Sequence, residues 1–284
     1  MSGSIDLSNV TALAPLADVA RDVVRAAERA DAEIFVVGAI ARDLWLKFVH
    51  GFDTLRATED FDFAVQCGDW NDFSVASSAL LDSGFVRPDA KIQHRFRHPS
   101  GALIDIVPFG GLERADRKIA WPPNEDEEMN LVGFREALDS TVQFVLPGGS
   151  AVPVVSLAAL AGLKVIAWDD RWVRSPGKDA RDLLVILCNY ADAGNYERMF
   201  EVIPGLAERA DFDLECAGAE LLGHDLARIS RGRFREMLLQ ILEREASATG
   251  DLRLAAEMDR RDVERARELL AALRTGLPAT RDAD

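Results

Sequence analysis

The chain has 284 residues, 48% of them apolar, and a formal net charge of −15 at pH 7. This composition supports a sizeable buried core, in one large domain or two modest ones, and excludes a disordered or fibrous chain. No apolar run approaches the roughly 18 residues needed to cross a bilayer. The first residues also lack the basic and apolar regions of a secretory leader, so we expect a cytoplasmic protein without membrane contact.

The net negative charge argues against broad electrostatic capture of nucleic acid, which depends on Lys and Arg replacing counterions. Arginines do cluster late in the chain, in Ile229–Glu236 and at Arg260, Arg261, Arg265 and Arg267. They could bind one end of an RNA, but we favour helix faces on which they pair with neighbouring acids. The three cysteines, Cys67, Cys188 and Cys216, have no metal-ligand spacing, so we expect structural thiols without a disulfide or zinc site.

The first half of the sequence alternates helical and strand patterns. Apolar spacing predicts a helix over residues 13–30, followed by a short β-branched strand over 33–39. Gly38 lies at the turn from this strand to a second helix, which Gly51 closes. Further on we predict a strand over 58–66, a helix over 73–83, a hairpin of 92–99 with the strand 102–111, a solvated loop over 121–130, and one or two strands within 141–156.

From Ser156 onward the pattern is helical, in segments that continue to about Leu273. We therefore predict an α+β protein with a mixed sheet and a helical C-terminal domain. The predicted boundaries are 1–150 for the first domain and 151–284 for the helical domain, with a ligand cleft between them.

Two carboxylates lie two residues apart in the strand predicted over 58–66. Side chains two apart on a strand point the same way, so Asp60 and Asp62 share one face while Phe61 and Phe63 face the core. Adjacent anions repel each other, and protonation, an arginine or a divalent metal relieves the repulsion.

A third carboxylate, Asp105, is the single charge within the apolar strand segment 103–107. An uncompensated carboxylate there would be expensive to bury. With Asp60 and Asp62 it would complete a two-metal site for phosphoryl transfer, and Mg²⁺ is the metal we predict. The alternative is that Asp60 and Asp62 form the solvated face of an edge strand and that Asp105 caps a turn.

The turn at Gly38 has the features of an anion-binding site. Glycine between a strand and a helix lets backbone N–H groups approach phosphate oxygens, and Arg42 lies one turn into the helix. The alternative is an ordinary turn in which Arg42 pairs with Asp43 or Asp60.

The segments VVGAIARDLW, LRATEDFDFAV and LIDIVPF together resemble the polymerase-beta-like nucleotidyltransferase superfamily. Its pattern is a Gly-Gly or Gly-Ser turn, a D-x-D strand and a later lone Asp. Within it the chain resembles the AbiEii-like toxins, including the MenT-type toxins, over roughly residues 30 to 190. Ala39 departs from the pattern because it stands where the second Gly or Ser is expected. Thr58, with Arg56, matches the run before the D-x-D, and the resemblance makes Gly38, Ala39, Arg42 and Thr58 nucleotide-binding positions. The alternative for Thr58 is that it caps the strand.

LKVIAWDDR, from Leu163, and KDARDL, from Lys178, are similar to the AbiEii-like signature in the helical half. The resemblance implies that Lys164 contacts the triphosphate and that Asp182 lies near it, orienting Lys164 or the acceptor. A lysine is a sound counter-charge for departing pyrophosphate. The alternatives are a surface lysine and, for Asp179 and Asp182, acids favoured in the first turn of a helix.

The resemblance implies a Mg²⁺-dependent nucleotidyltransferase that acts as the toxin of a toxin–antitoxin pair. Its substrate would be a nucleoside triphosphate such as ATP, its acceptor the 3′ end of a tRNA, and its partner a cognate antitoxin. Two alternatives remain open: transfer to a small molecule or a protein hydroxyl, and a non-catalytic nucleotide-binding module.

Overall fold

The computed structural model describes residues 3–54, 60–89, 91–173, 175–247, 250 and 252–278. The chain divides into two compact units: unit 1 is Met1–Leu44 with Leu55–Ser156, and unit 2 is Trp45–Thr54 with Leu157–Asp284. The division differs from a single boundary at residue 150. The last strand of the sheet follows residue 150 and stays with unit 1, whereas Trp45–Thr54 groups with the helical unit.

Unit 1 is built on a mixed sheet, seven-stranded as far as the residues are described, with a separate two-stranded sheet. The large sheet contains β1 (Ile5–Asp6), β2 (Ile34–Val37), β3 (Asp60–Cys67), β4 (Arg95–Arg97), β5 (Leu103–Gly110), β8 (Val142–Val145) and β9 (Ala151–Val154). Across the sheet the order is β1-β8-β9-β2-β3-β5-β4. The pairs β1–β8, β9–β2 and β3–β5 are parallel, and the other pairs are antiparallel.

The helices of unit 1 are α1 (Ala14–Arg29), α2 (Gly38–Asp43), α3 (Trp70–Asp82) and α4 (Phe134–Asp139). Proline in the first turn of α1 suits the fixed backbone angle of that position. The apolar face of α1 is buried and packs against α3 and β9. The helix predicted after Gly38 is present, but it changes at Leu44–Val49 into a π-helix.

Strand β3 confirms the predicted alternation. Phe61 and Phe63 are buried, with 9% and 0% of their surface exposed, while Asp60 and Asp62 between them are half-buried. The predicted hairpin is also confirmed, because β4 pairs with β5 in antiparallel orientation.

The loop predicted over 121–130 is only partly correct. Its end forms β7 (Glu128–Asn130), which pairs with β6 (Lys118–Ala120), and Arg114 forms an ion pair with Glu128. At its start Trp121 is buried against Trp70 and Phe73. The short strand β7 forms because the backbone of β6 pairs with it, and the acid-rich sequence of the segment does not indicate this pairing.

Unit 2 consists of helices. They are α5 (Leu157–Arg171), α6 (Lys178–Asn189), α7 (Tyr196–Val202), α8 (Leu214–Ile229), α9 (Gly232–Ala246), α10 (Arg253–Met258) and α11 (Val263–Gly276). α8 and α11 pack very closely at Gly276, where an added Cβ would lie 1.8 Å from the carbonyl oxygen of Glu220. Only glycine permits this approach of the two backbones.

The three cysteines are free thiols in the structure. Burial raises the pKa of Cys67 and of Cys188 to about 12, and that of Cys216 to about 11. The thiols therefore stay protonated at neutral pH.

Candidate functional site

An acidic cluster lies on one face of the neighbouring parallel strands β3 and β5. Asp62 of β3 is directly opposite Asp105 of β5, and Asp60 lies two residues before Asp62 on the same face. Ile104 and Ile106 occupy the opposite, buried face of β5, with 0% and 2% exposure. The structure thus places the three carboxylates that the sequence singled out on the same face of two adjacent strands, and we call them the acidic cluster.

Arg95 belongs beside the acidic cluster, although sequence reasoning missed it. It stands opposite Asp105 on β4, and its Nε and Nη2 donate to Asp105 Oδ1 and Oδ2 at 2.8 and 2.6 Å. The hydrogen bond to Asp105, and the charges of Asp105, Asp60 and Asp62, raise the pKa of Arg95 above its ordinary value. The predicted hairpin contained the signal, since antiparallel pairing places the basic residues of RFR next to LIDIV.

Gly38 packs directly on the acidic cluster. Its φ is +75°, and a Cβ built on it would lie 2.0 Å from Asp62 Oδ2. A side chain at position 38 would therefore occupy the place of the Asp62 carboxylate. Ala39 is 3% exposed, so its methyl group packs in the interior.

The placement of Arg42 argues against its predicted role as a phosphate ligand. The residue is 1% exposed, and its Nε and Nη2 donate to Asp43 Oδ1 at 2.9 and 2.6 Å. This is the alternative pairing considered for the sequence, because a buried guanidinium requires a carboxylate partner. Thr58 and Arg56 lie outside the described residues.

Lys164 is the centre of a buried ionic network in unit 2. Its Nζ lies 3.1 Å from Asp179 Oδ1 and 2.6 Å from Asp182 Oδ2, and Arg171 Nε donates to Asp179 Oδ2 at 2.8 Å. Lys164, Asp179 and Asp182 are all at most 5% exposed. We call these four residues the lysine network; the structure brings Lys164 and Asp182 together and adds Asp179 and Arg171.

Charge pairing dominates the electrostatics of the lysine network. Burial alone would lower the pKa of Lys164, but the charges of Asp179 and Asp182 outweigh it and raise the pKa. Burial would likewise raise the pKa of Asp179, but Lys164 and Arg171 lower it from 3.8 to about 2. Lys164 and Asp179 therefore both stay charged over the physiological pH range.

Three of the seven arginines singled out in the sequence, Arg233, Arg265 and Arg267, are paired with acids, and so is the neighbouring Arg228. Arg265 contacts Asp213 at 2.8 Å and Glu215 at 2.7 Å, and Arg267 forms an ion pair with Glu264. Arg228 and Arg233 have acidic neighbours as well. These contacts favour paired helix faces over an RNA-binding patch for these four arginines.

As the side chains stand in the described parts of the chain, no three His, Cys, Asp or Glu residues converge on one point. Asp105 instead directs both oxygens to Arg95. No helix within the described ranges is long and apolar enough to cross a membrane.

A mixed sheet with carboxylates on adjacent strands beside a glycine turn is the arrangement expected of a nucleotidyltransferase. The sequence matches the family described as "Nucleotidyl transferase AbiEii toxin, Type IV TA system" over residues 24–274. Because this match spans most of the chain, the chain belongs to the AbiEii family. No curated protein gives a significant match. A solution structure of the antibiotic-resistance factor ANT(2'')-Ia aligns with 13% identity and a TM-score of 0.36, covering 68% of this chain and 95% of that chain.

Family membership confirms the predicted family and enzyme class. The protein is a nucleotidyltransferase toxin of a type IV toxin–antitoxin system, which implies a nucleoside triphosphate substrate and a cognate antitoxin. Enzymes of this kind generally use divalent metal ions.

Proposed function

We propose that this toxin transfers a nucleoside monophosphate from a nucleoside triphosphate to RNA, at the 3′ end of a tRNA, in a Mg²⁺-dependent reaction. The observation that carries the proposal is the register of β3 and β5, which sets Asp62 opposite Asp105 with Asp60 on the same face. Family membership supplies the class of reaction.

The acidic cluster fits a hard divalent cation by the chemistry of its donors. Mg²⁺ prefers carboxylate oxygens, and three carboxylates on one half-buried face offer them. Asp60 and Asp62 would hold the ion, and Asp105 would complete the donor set. When bound, Mg²⁺ would supply positive charge that offsets the negative charge of the triphosphate.

In this proposal, residues of the chain bind the phosphates and accept the proton of the acceptor hydroxyl. Backbone N–H groups of the turn at Gly38 and Ala39 would hold phosphate oxygens, with Thr58 as a further donor. Asp105 would accept the proton of the acceptor hydroxyl as its oxygen bonds to the α-phosphorus. The bond from that phosphorus to pyrophosphate breaks in the same step.

Lys164 and Asp182 complete the proposal. Lys164 would offset the charge of the departing pyrophosphate, and Asp182 would orient its ammonium group, a role supported by their contact of 2.6 Å. Arg42 has no place in the proposal because it is buried against Asp43.

A second acceptor class has two observations in its favour. The net charge of −15 and the pairing of four late arginines both weaken electrostatic attraction to RNA. Transfer to a small molecule or a protein hydroxyl would need no such attraction.

The test is a transfer assay with the full chain, Mg²⁺, each radiolabelled nucleoside triphosphate in turn, and total tRNA or total cell protein. Asp60→Asn and Asp62→Asn should each lower transfer at least about 100-fold, because each removes a metal-binding charge. Asp82→Asn, the same change at an exposed position of α3, should leave transfer unchanged.

Each result of the assay has a distinct meaning. Label in tRNA that depends on Asp60 and Asp62 supports the proposal, and label in protein moves the acceptor to a protein hydroxyl. Full activity of Asp60→Asn or Asp62→Asn overturns the assignment of the acidic cluster. Toxicity on expression that a neighbouring gene relieves would identify the antitoxin.

A further inference from the structure

Arg95 is paired with the carboxylate of Asp105, which the proposed metal site also needs. Its guanidinium forms a forked contact with Asp105, at 2.8 Å from Nε to Oδ1 and 2.6 Å from Nη2 to Oδ2. The two residues are direct partners on β4 and β5, so the sheet register fixes the pair in place.

The pair is accessible enough to open. The side chain of Arg95 is 32% exposed and that of Asp105 is 16% exposed, in contrast to the Arg42–Asp43 pair, at 2% and 7%. An arginine at this exposure can leave its partner and remain solvated.

A guanidinium and a divalent cation use the same oxygen lone pairs of a carboxylate, and the two cations repel each other. A metal ion that binds Asp105 must therefore loosen or displace Arg95. A triphosphate that arrives with the metal offers new anionic oxygens to the released guanidinium. A metal ion alone offers Arg95 only a like charge.

We propose that Arg95 competes with the divalent cation for Asp105, so that the acidic cluster binds metal weakly alone and well only together with the triphosphate. The proposal rests on the function proposed above. Arg95 is a positioning residue in this scheme, since it acts by holding Asp105 until the substrate takes its guanidinium.

The experiment is a titration of the full chain with Mn²⁺ as the probe, without nucleotide, followed by electron paramagnetic resonance of the free ion. Arg95→Gln should bind Mn²⁺ about tenfold more tightly than the unaltered chain, on the scale of one charge-assisted hydrogen bond. Arg95→Lys should give a smaller rise, because an ammonium makes one contact where the guanidinium makes two. Arg97→Gln is the matched control on β4 and should bind like the unaltered chain, since the Arg97 side chain donates to the carbonyl oxygen of Gly101 at 3.4 Å and has no carboxylate partner among the described residues.

The outcomes separate this inference from the proposed function. Equal Mn²⁺ affinity in the unaltered chain, Arg95→Gln and Arg97→Gln would overturn the competition while leaving the metal site intact. Mn²⁺ binding that Asp60→Asn does not weaken would place the metal elsewhere and overturn both. If Arg95→Gln folds poorly, Arg95→Lys replaces it as the test variant. Its urea midpoint should then lie close to that of the unaltered chain.

Discussion

The acidic cluster and the lysine network are both built from aspartates and basic side chains, yet they differ in balance and exposure. In the lysine network two cations, Lys164 and Arg171, face two carboxylates, and its lysine and aspartates are almost wholly buried. In the acidic cluster three carboxylates lie on a half-buried face, and one cation, Arg95, is paired with one of them, Asp105. Removing one member of a matched buried set leaves an unpaired buried charge, whereas an exposed excess of negative charge can take up a cation.

The largest expected effect is a loss of stability when the lysine network of unit 2 is broken. Lys164→Ala leaves Asp179 and Asp182 buried without their lysine, so the free energy of unfolding should fall by about 3 to 5 kcal/mol in a urea titration. Lys178→Ala, at an exposed position of α6, should change it by less than about 0.5 kcal/mol.

A compensating variant separates charge from packing at the same site. Lys164→Met combined with Asp182→Asn removes the closest ion pair as a unit, so it should recover much of the stability lost in Lys164→Ala. A double variant as unstable as Lys164→Ala would contradict the charge argument.

The next effect concerns the glycine turn of unit 1. Gly38→Ala should cost about 3 kcal/mol in all, from the positive φ and from the contact with Asp62, and it should also abolish transfer. Gly148→Ala is the matched control, since its φ is +79° and nothing lies within 4 Å of its added Cβ. If the two variants are equally stable and active, the close packing of Gly38 on Asp62 has no consequence.

A smaller effect is expected in acid, where the lysine network should lose part of its contribution to the free energy of unfolding. The pKa of Asp179 is lowered from 3.8 to about 2, so its stabilising charge is complete above pH 3.8 and is lost as the pH falls towards 2. This loss is worth about 2 kcal/mol, and Asp179→Asn should show a correspondingly shallower decline in urea midpoint between pH 4 and pH 2. Asp192→Asn, an exposed change in the same unit, should decline like the unaltered chain.

The smallest expected effect is on the stability of the acidic cluster itself. Asp60→Asn should change the free energy of unfolding by no more than about 0.5 kcal/mol, since Asp60 is half-buried and has like charges beside it. A loss of several kcal/mol would mean that the cluster, like the lysine network, is part of the framework of the fold.

Sequence reasoning located the residues of both regions better than their partners. Alternation in β3 and a lone charge in β5 follow from the period of a strand, so Asp60, Asp62 and Asp105 could be found without coordinates. Strand order and register depend on distant segments, and they decide that Asp105 faces Arg95.

For Arg42, the position in the sequence indicates one partner and the structure shows another. Its position one turn beyond Gly38 suits a phosphate ligand, and only tertiary packing reveals that its guanidinium is buried on Asp43. The π-helical stretch Leu44–Val49 and the short strand β7 likewise depend on contacts that no local pattern encodes.

The raised pKa values of the three thiols also have a practical consequence for labelling. Thiol reagents attack the thiolate, which Cys67, Cys188 and Cys216 scarcely populate at neutral pH. New cysteines introduced by Val75→Cys in unit 1 and Val173→Cys in unit 2, where the native side chains are 46% and 72% exposed, would react first. Either unit can therefore be labelled through its new cysteine while the native cysteines stay in place.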